Sequence, residues 1–366
     1  MARTVRLSLA FAATLVGGAL GYRSWRQRRA AAAQAIRSPN GIDEARFVEI
    51  GGIQQWVSIR GEDRANPVLV VAHGGPGNAF LPFTYEVLRP WEAHFTVVQW
   101  DQRGAGLTYS RGSPKGQGEL SLERIVEDGF EVVSHALGRT GQAKAILLGV
   151  SWGSVVGVAM ARQRPELFHA FVGAGQMIDW DRNEAVGYAG LMQRVRAAAD
   201  RRSEQALIEI GPPPYAGLKQ VAIERSILMS RHPPAGEKGL MRRLMVTALF
   251  APGFSLKQLY ESLTAGQFSI RALWGELISY RDPKPYAPFE IPVFFIQGAE
   301  DIQTPTSLVE EYFAEIDAPT KQLILLPGGG HMAIVAESAA FLEALITYVL
   351  PAASKPARRR RRPASA

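Results

Sequence analysis

The chain has 366 residues, 47% hydrophobic and 20% charged, with no cysteine; this excludes a disordered protein, disulfides, thiolate metal sites and a cysteine nucleophile. Its formal charge of +7 gathers at the ends: Arg3, Arg6, Arg23, Arg26, Arg28 and Arg29 at the start, Lys355 and Arg358 to Arg362 at the finish. Without those 12, the 41 Lys and Arg fall to 29 against 34 Asp and Glu, so the body stands near −5, which argues against a nucleic-acid groove.

Leu7 to Tyr22 (LSLAFAATLVGGALGY) is an uncharged apolar run between Arg6 and Arg23, somewhat short of the roughly 20 residues that span a bilayer. RSWRQRR follows it where a cleaved signal would present small residues, so residues 1–40 are expected to form a single membrane anchor and a basic linker. Secretion after cleavage, or a cytoplasmic extension, are the alternatives. Both flanks are basic, and the heavier downstream cluster favours a cytoplasmic catalytic domain.

Residues 47–61 (FVEIGGIQQWVSIRG) alternate with period two and predict an antiparallel hairpin. Apolar runs suited to strands buried on both faces follow at 67–73, 95–101, 144–150, 168–175, 293–298 and 322–327. Helical patterns lie between them, at 122–137, after Ser151 and at 339–350. Together they predict an α/β fold with a mostly parallel eight-stranded sheet flanked by helices. The alternation breaks once, over 179–288, where amphipathic stretches are divided by GPPPYAG and RHPPAGE. A structureless loop that long is improbable, so a helical cap is expected there, between core segments 41–178 and 289–351. The Pro-, Ala- and Arg-rich residues 352–366 are expected to be a disordered basic tail, which could reinforce attraction to a membrane.

Gly149, Ser151 and Gly153 form GxSxG between a predicted buried strand and a predicted helix. A sharp turn there raises the Ser151 hydroxyl above the sheet, as in the nucleophile elbow of the α/β-hydrolase fold. Serine needs a base, and the base an orienting acid, in the chain order serine, acid, histidine. His331, in PGGGHM after the last predicted strand, is the candidate base; His232 in the cap reads as solvated. Asp301, in FFIQGAEDIQTP, is the candidate acid, with Glu300 a solvated neighbour. HGGPG, His73 to Gly77, ends an earlier strand. The amide of Gly75, with Gly74 next in order, and that of Trp152 are expected to hold a developing oxyanion. WDQRGAGLT, Asp101 to Thr108 within it, reads as a turn shaping the floor of the site.

HGGPG, DQRGAG and GVSWGS, in this order and spacing, resemble the proline iminopeptidase family of α/β-hydrolases over roughly residues 45–350. Val150, the run Ser154, Val155, Val156, and FVGAGQ depart from the family's usual pattern. The resemblance implies a capped α/β-hydrolase without cofactor that removes N-terminal residues, often proline, from short peptides. It also implies Ser151 as nucleophile, His331 as base and Asp301 as its partner. Family members use acidic cap residues to hold the substrate ammonium, and a buried cation must be paired. Glu184 is the candidate here, ahead of Glu224. An esterase or amidase acting on small or lipid-like acyl groups is the second reading, and a membrane-tethered binding protein without catalysis the third. An aspartate nucleophile is missing for epoxide or haloalkane chemistry, and no metal-ligand spacing is visible.

Overall fold

The computed structural model describes residues 2–282 and 287–354, with side chains from residue 17 to residue 353. The basic tail expected over 352–366 therefore lies outside the described residues from 355 onwards, as do the side chains of the apolar run up to Val16.

Helix α1 (Ala2–Gln34) leads into the hairpin β1 (Ile42–Ile50) and β2 (Ile53–Gly61). The hairpin turns on Gly51 and Gly52, both at positive φ, where glycine carries no Cβ penalty. The core continues through β3 (Val68–Ala72), α2 (Leu81–Leu88), β4 (Thr96–Asp101), α3 (Gly106–Gly112), α4 (Leu122–Thr140), β5 (Ala145–Val150), α5 (Trp152–Gln163) and β6 (Phe168–Ala174). Six helices then follow before the sheet resumes: α6 (Trp180–Ala197), α7 (Arg201–Ile210), α8 (Leu218–Ser230), α9 (Leu240–Leu249), α10 (Leu256–Ala272) and α11 (Trp274–Ile278). The core closes with β7 (Val293–Gly298), α12 (Thr306–Glu315), β8 (Lys321–Leu326), α13 (Ala333–Ala336), α14 (Ser338–Ala344) and α15 (Leu350–Ser354).

The eight strands are ordered β1-β2-β4-β3-β5-β6-β7-β8. The β1–β2 and β2–β4 pairs are antiparallel and the rest parallel. Strands β3 to β7 are buried on both faces, which is why they read as unbroken apolar runs. Alternate residues feed two layers. Val68, Val70 and Leu147 pack with α4, α5 and α12, while Leu69, Val71 and Leu148 pack with Trp91 and Phe341, whose rings stack 5.5 Å apart. Strand order reverses at β3, whose neighbours β4 and β5 both follow it in sequence. Ligands of open α/β sheets bind beyond the carboxyl ends of the strands at such a switch point. Here those ends carry HGGPG and Ser151.

The second half of α1 lies against the cap: Arg23 donates to the carbonyls of Leu249 and Phe254, and Gln27 to those of Ala251 and Phe254. Among the described residues no helix is long and apolar enough to cross a membrane.

Candidate active site

The turn from β5 into α5 is built by glycine. A Cβ on Gly149 would lie 2.4 Å from the Gly153 carbonyl, and one on Gly153 2.0 Å from the Ala72 carbonyl. Only hydrogen fits at either position, so strand and helix close to a distance that leaves Ser151 at the apex. Ser151 takes φ +54° and ψ −120°, a left-handed conformation that costs a non-glycine residue roughly 1–3 kcal/mol. The turn is held by the Ser151 amide donating to the Ala174 carbonyl (2.8 Å) and by the Ser154 hydroxyl donating to the Ser151 carbonyl (2.6 Å).

The loop after β8 carries His331 over this apex. Its Nε2 lies 3.0 Å from Ser151 Oγ and its Nδ1 3.0 Å from Asp301 Oδ2. A carboxylate only accepts, so Nδ1 carries the proton and Nε2 is left to accept from the serine hydroxyl. Asp301 sits in the loop after β7 and is held by more donors than His331 alone. Its Oδ1 accepts from the amides of Gln303 (2.8 Å) and Thr304 (3.0 Å), its Oδ2 from Gln297 Nε2 (3.0 Å) and the Thr304 hydroxyl (2.7 Å). Burial works to raise this carboxyl, but His331 and these hydrogen bonds hold it below the ordinary carboxylate range.

The HGGPG turn packs directly beside the serine, with the Cβ position of Gly74 only 3.3 Å from Ser151 Cβ. Gly75 follows at φ +124°, in a backbone so tightly folded that an added Cβ would stand 2.5 Å from the Gly77 amide nitrogen. Trp152 opens α5, whose N-terminal amides carry the positive end of the helix dipole. Its indole is buried, and Nε1 finds no hydrogen-bond partner among the described residues. His73 is structural: Nε2 accepts from the Gln102 amide (3.1 Å), and burial lowers its pKa to about 4. Arg103 of DQRG pairs with the fully buried Asp128 at 3.0 Å and also bonds the Gly51 carbonyl, tying that turn to α4 and to the hairpin.

Three contributors drew no functional reading from the sequence. Gly175, at φ +56°, leaves the space His331 occupies, since a Cβ there would lie 2.9 Å from the imidazole Cε1. Gln297 on β7 buttresses Asp301. Glu237, in the short turn before α9, reaches down from the cap and accepts from the amides on both sides of His331, Gly330 at 2.9 Å and Met332 at 2.8 Å. Burial raises its carboxyl despite those two donors. No sequence pattern marks it, because the contact joins segments 93 residues apart. Leu228, Met229, Pro234, Ile302 and Met332 line a pocket against His331 together with Glu237, Glu300, Asp301 and Gln303.

Glu184 does not touch Ser151. It is buried on α6, where one of its oxygens binds Arg225, and the same guanidinium binds Glu224 at 3.0 Å. Tyr215 donates to Glu224. Burial raises the Glu184 carboxyl, Arg225 opposing it and Glu224 adding to it. Glu184 Oε2 and both side-chain polar atoms of the adjacent Asn183 are buried without partners among the described residues. The cluster adjoins the loop that carries Asp301. A Cβ on Gly187 would meet both Glu224 Oε1 (3.8 Å) and the carbonyl of Ile302 (2.5 Å), the residue after Asp301. His232 pairs with Asp200 and does not join the site, whereas Glu300, though exposed, lines the pocket beside His331.

Residues 67–209 match the model of the α/β-hydrolase fold family. The chain is 26% identical over 303 residues to the probable aminopeptidase YbaC of Bacillus subtilis, covering 81% of this chain and 93% of that protein. Among solved structures it resembles a proline iminopeptidase-related protein of Thermus thermophilus, with TM-score 0.56, 21% identity, and 85% and 99% of the two chains covered. A membrane phospholipase A described as a bacterial virulence factor matches with TM-score 0.61, 15% identity, and 97% and 100% covered.

Proposed function

From a chain with the α/β-hydrolase fold, we propose a serine hydrolase that releases N-terminal residues, proline among them, from short peptides. One observation carries the reading: His331 bridges Ser151 and Asp301 with both contacts at 3.0 Å, within reach for proton transfer. As Ser151 Oγ bonds to the carbonyl carbon, its proton passes to His331 Nε2, and Asp301 stabilises the imidazolium. The amides of Gly75 and Trp152 receive the oxyanion, each worth about 100-fold in turnover. The C–N bond then breaks as Nε2 returns the proton to the leaving amine. Water then attacks the acyl carbon as Nε2 takes its proton, the C–Oγ bond breaks to release the product acid, and Nε2 returns the proton to Ser151 Oγ.

The cap cluster supports the aminopeptidase class. Glu184 and Glu224 against Arg225 leave one net negative charge in a buried site, where a substrate ammonium is accommodated better than in an apolar pocket. An esterase or amidase is the second reading, favoured by the fact that Arg225 already bonds both carboxylates.

Proline and alanine anilides with free and acetylated amines decide between them. Free substrates alone should be cleaved, Ser151→Ala should lose about 10⁴-fold or more, and Glu184→Gln should raise KM for free amines about tenfold or more. Equal cleavage of acetylated substrates, or of simple esters alone, would remove the peptidase assignment and leave the hydrolase. Full activity in Ser151→Ala would remove both.

A further inference from the structure

Two helices of the cap, α9 and α10, each leave an apolar stripe in solvent, and the second half of α1 meets them. On α9 it comprises Met241, Met245, Val246 (50% exposed) and Leu249, while Leu240, Leu244 and Ala248 face inward. On α10 it comprises Leu256 (48%), Tyr260 (68%) and Leu263 (47%), opposite the buried Leu259 and Ala265. On α1 Leu20, Tyr22 and Trp25 are each about half exposed, the Tyr22 and Trp25 rings lying 5.8 Å apart. They join the two stripes because α1 is fixed to the α9–α10 turn: Arg23 bonds the carbonyls of Leu249 and Phe254, Tyr22 meets the Phe250 ring edge-on at 5.9 Å, and Arg26 stacks over it at 4.4 Å. Single exposed apolar residues need no explanation, but a contiguous set on adjoining helices marks an interaction surface.

The charge around this face is predominantly positive, with Glu261 on α10 already paired to Lys257. Helix α1 contains no acid and six arginines. Arg242 and Arg243 stand on α9, where no acid lies between Lys238 and Tyr260, while Lys257 at the start of α10 is neutralised by Glu261. Neither Arg242 nor Arg243 has a carboxylate within ion-pair distance among the described residues, and both are exposed. Apolar stripes rimmed by unpaired arginines are the composition of helices that lie in a membrane interface, apolar side down and guanidinium groups among anionic headgroups. The same helix α1 carries the apolar run Leu7–Tyr22 at its other end, so the face adjoins the segment of the chain best suited to lipid.

We propose that the surface formed by α9, α10 and the second half of α1 docks on an anionic lipid bilayer, seating the cap in the headgroup region. The proposal stands apart from the peptidase reading, because it concerns the outside of the cap and not the site beneath it.

The absence of cysteine permits a direct test on the full chain. Val246→Cys and Leu263→Cys report on the face, and Gly138→Cys, whose Cβ would meet nothing within 4 Å, on the opposite end of the core. Each is labelled with a solvatochromic maleimide and titrated with vesicles of phosphatidylglycerol and phosphatidylcholine, or of phosphatidylcholine alone. The face probes should shift to the blue with anionic vesicles and the Gly138→Cys probe should not. Arg242→Glu with Arg243→Glu should raise the half-saturating lipid concentration about tenfold or more. Flotation of the protein with vesicles while all three probes stay unshifted would reduce the attachment to a tether and overturn the proposal. So would an equal shift with phosphatidylcholine alone. A shift of the face probes that grows with protein concentration and needs no lipid would assign the surface to a second copy of the chain.

Discussion

The loop after β7 and the heart of the cap both bury carboxylates, and they treat them in opposite ways. Asp301 accepts from two backbone amides, Gln297, Thr304 and His331, so its orientation is fixed and it stays ionised. Glu184 and Glu224 share one guanidinium, burial raises Glu184, and Glu184 Oε2 lacks a partner among the described residues. Burial alone therefore says little about what an acid does. The number of donors it meets separates a carboxylate that positions another group from one that retains capacity for a further cation.

The difference is tested most severely at Asp301. Asp301→Asn keeps the shape but forces the wrong imidazole tautomer, and kcat should fall about 10⁴-fold with little change in fold; a loss under tenfold would deny Asp301 its role. Next comes Arg225→Met, which leaves two buried carboxylates unpaired. Unfolding in denaturant should show a loss of about 3–5 kcal/mol, recovered when Glu184→Gln and Glu224→Gln are added, and an unchanged midpoint would show the cluster to be hydrated.

Glu237 joins the two regions. Without its bonds to the Gly330 and Met332 amides, His331 loses its support from the cap. Glu237→Ala should lower kcat about 10- to 100-fold with KM nearly unchanged, and Glu237→Gln, which keeps the accepting oxygen, should restore most of it. A pure KM effect would place Glu237 in substrate binding instead.

The smallest effect belongs to Asp101, which ends β4 and whose carboxylate, among the described residues, accepts from the Leu107 amide alone (2.7 Å). Burial pushes its pKa up to about 7. Its folded value exceeds the unfolded one of about 3.9, so the stability it contributes is complete below that value and is lost as pH rises through about 7. Between pH 5 and 8 the Tm should fall more steeply than in Asp101→Asn. Parallel profiles would exclude the carboxyl as the cause.

Much of the core was legible because its signals are local. Five of the six apolar runs mark strands buried on both faces, while the sixth, β8, is the partly exposed edge of the sheet. Glycines at 149 and 153 are demanded by a turn spanning a few residues. The order serine, aspartate, histidine follows from where loops leave a parallel sheet. Glu237, Gly175 and Gln297 were not legible, since each acts on a residue distant in sequence and none belongs to a repeating pattern. Glu184 was singled out by chemistry, yet its pairing with Arg225 depends on how α6 packs against α8.

The sequence by itself determined the alternation of strands and helices, the sharp turn at Ser151 and the residue types able to perform acyl transfer, because backbone sterics and periodic burial are written in short stretches of chain. Only the tertiary structure decided that His331 stands 3.0 Å from both its partners, that Glu237 grips the histidine loop, and that α1 is tied to the turn between α9 and α10. Those outcomes depend on distances between segments, which packing of the whole chain fixes.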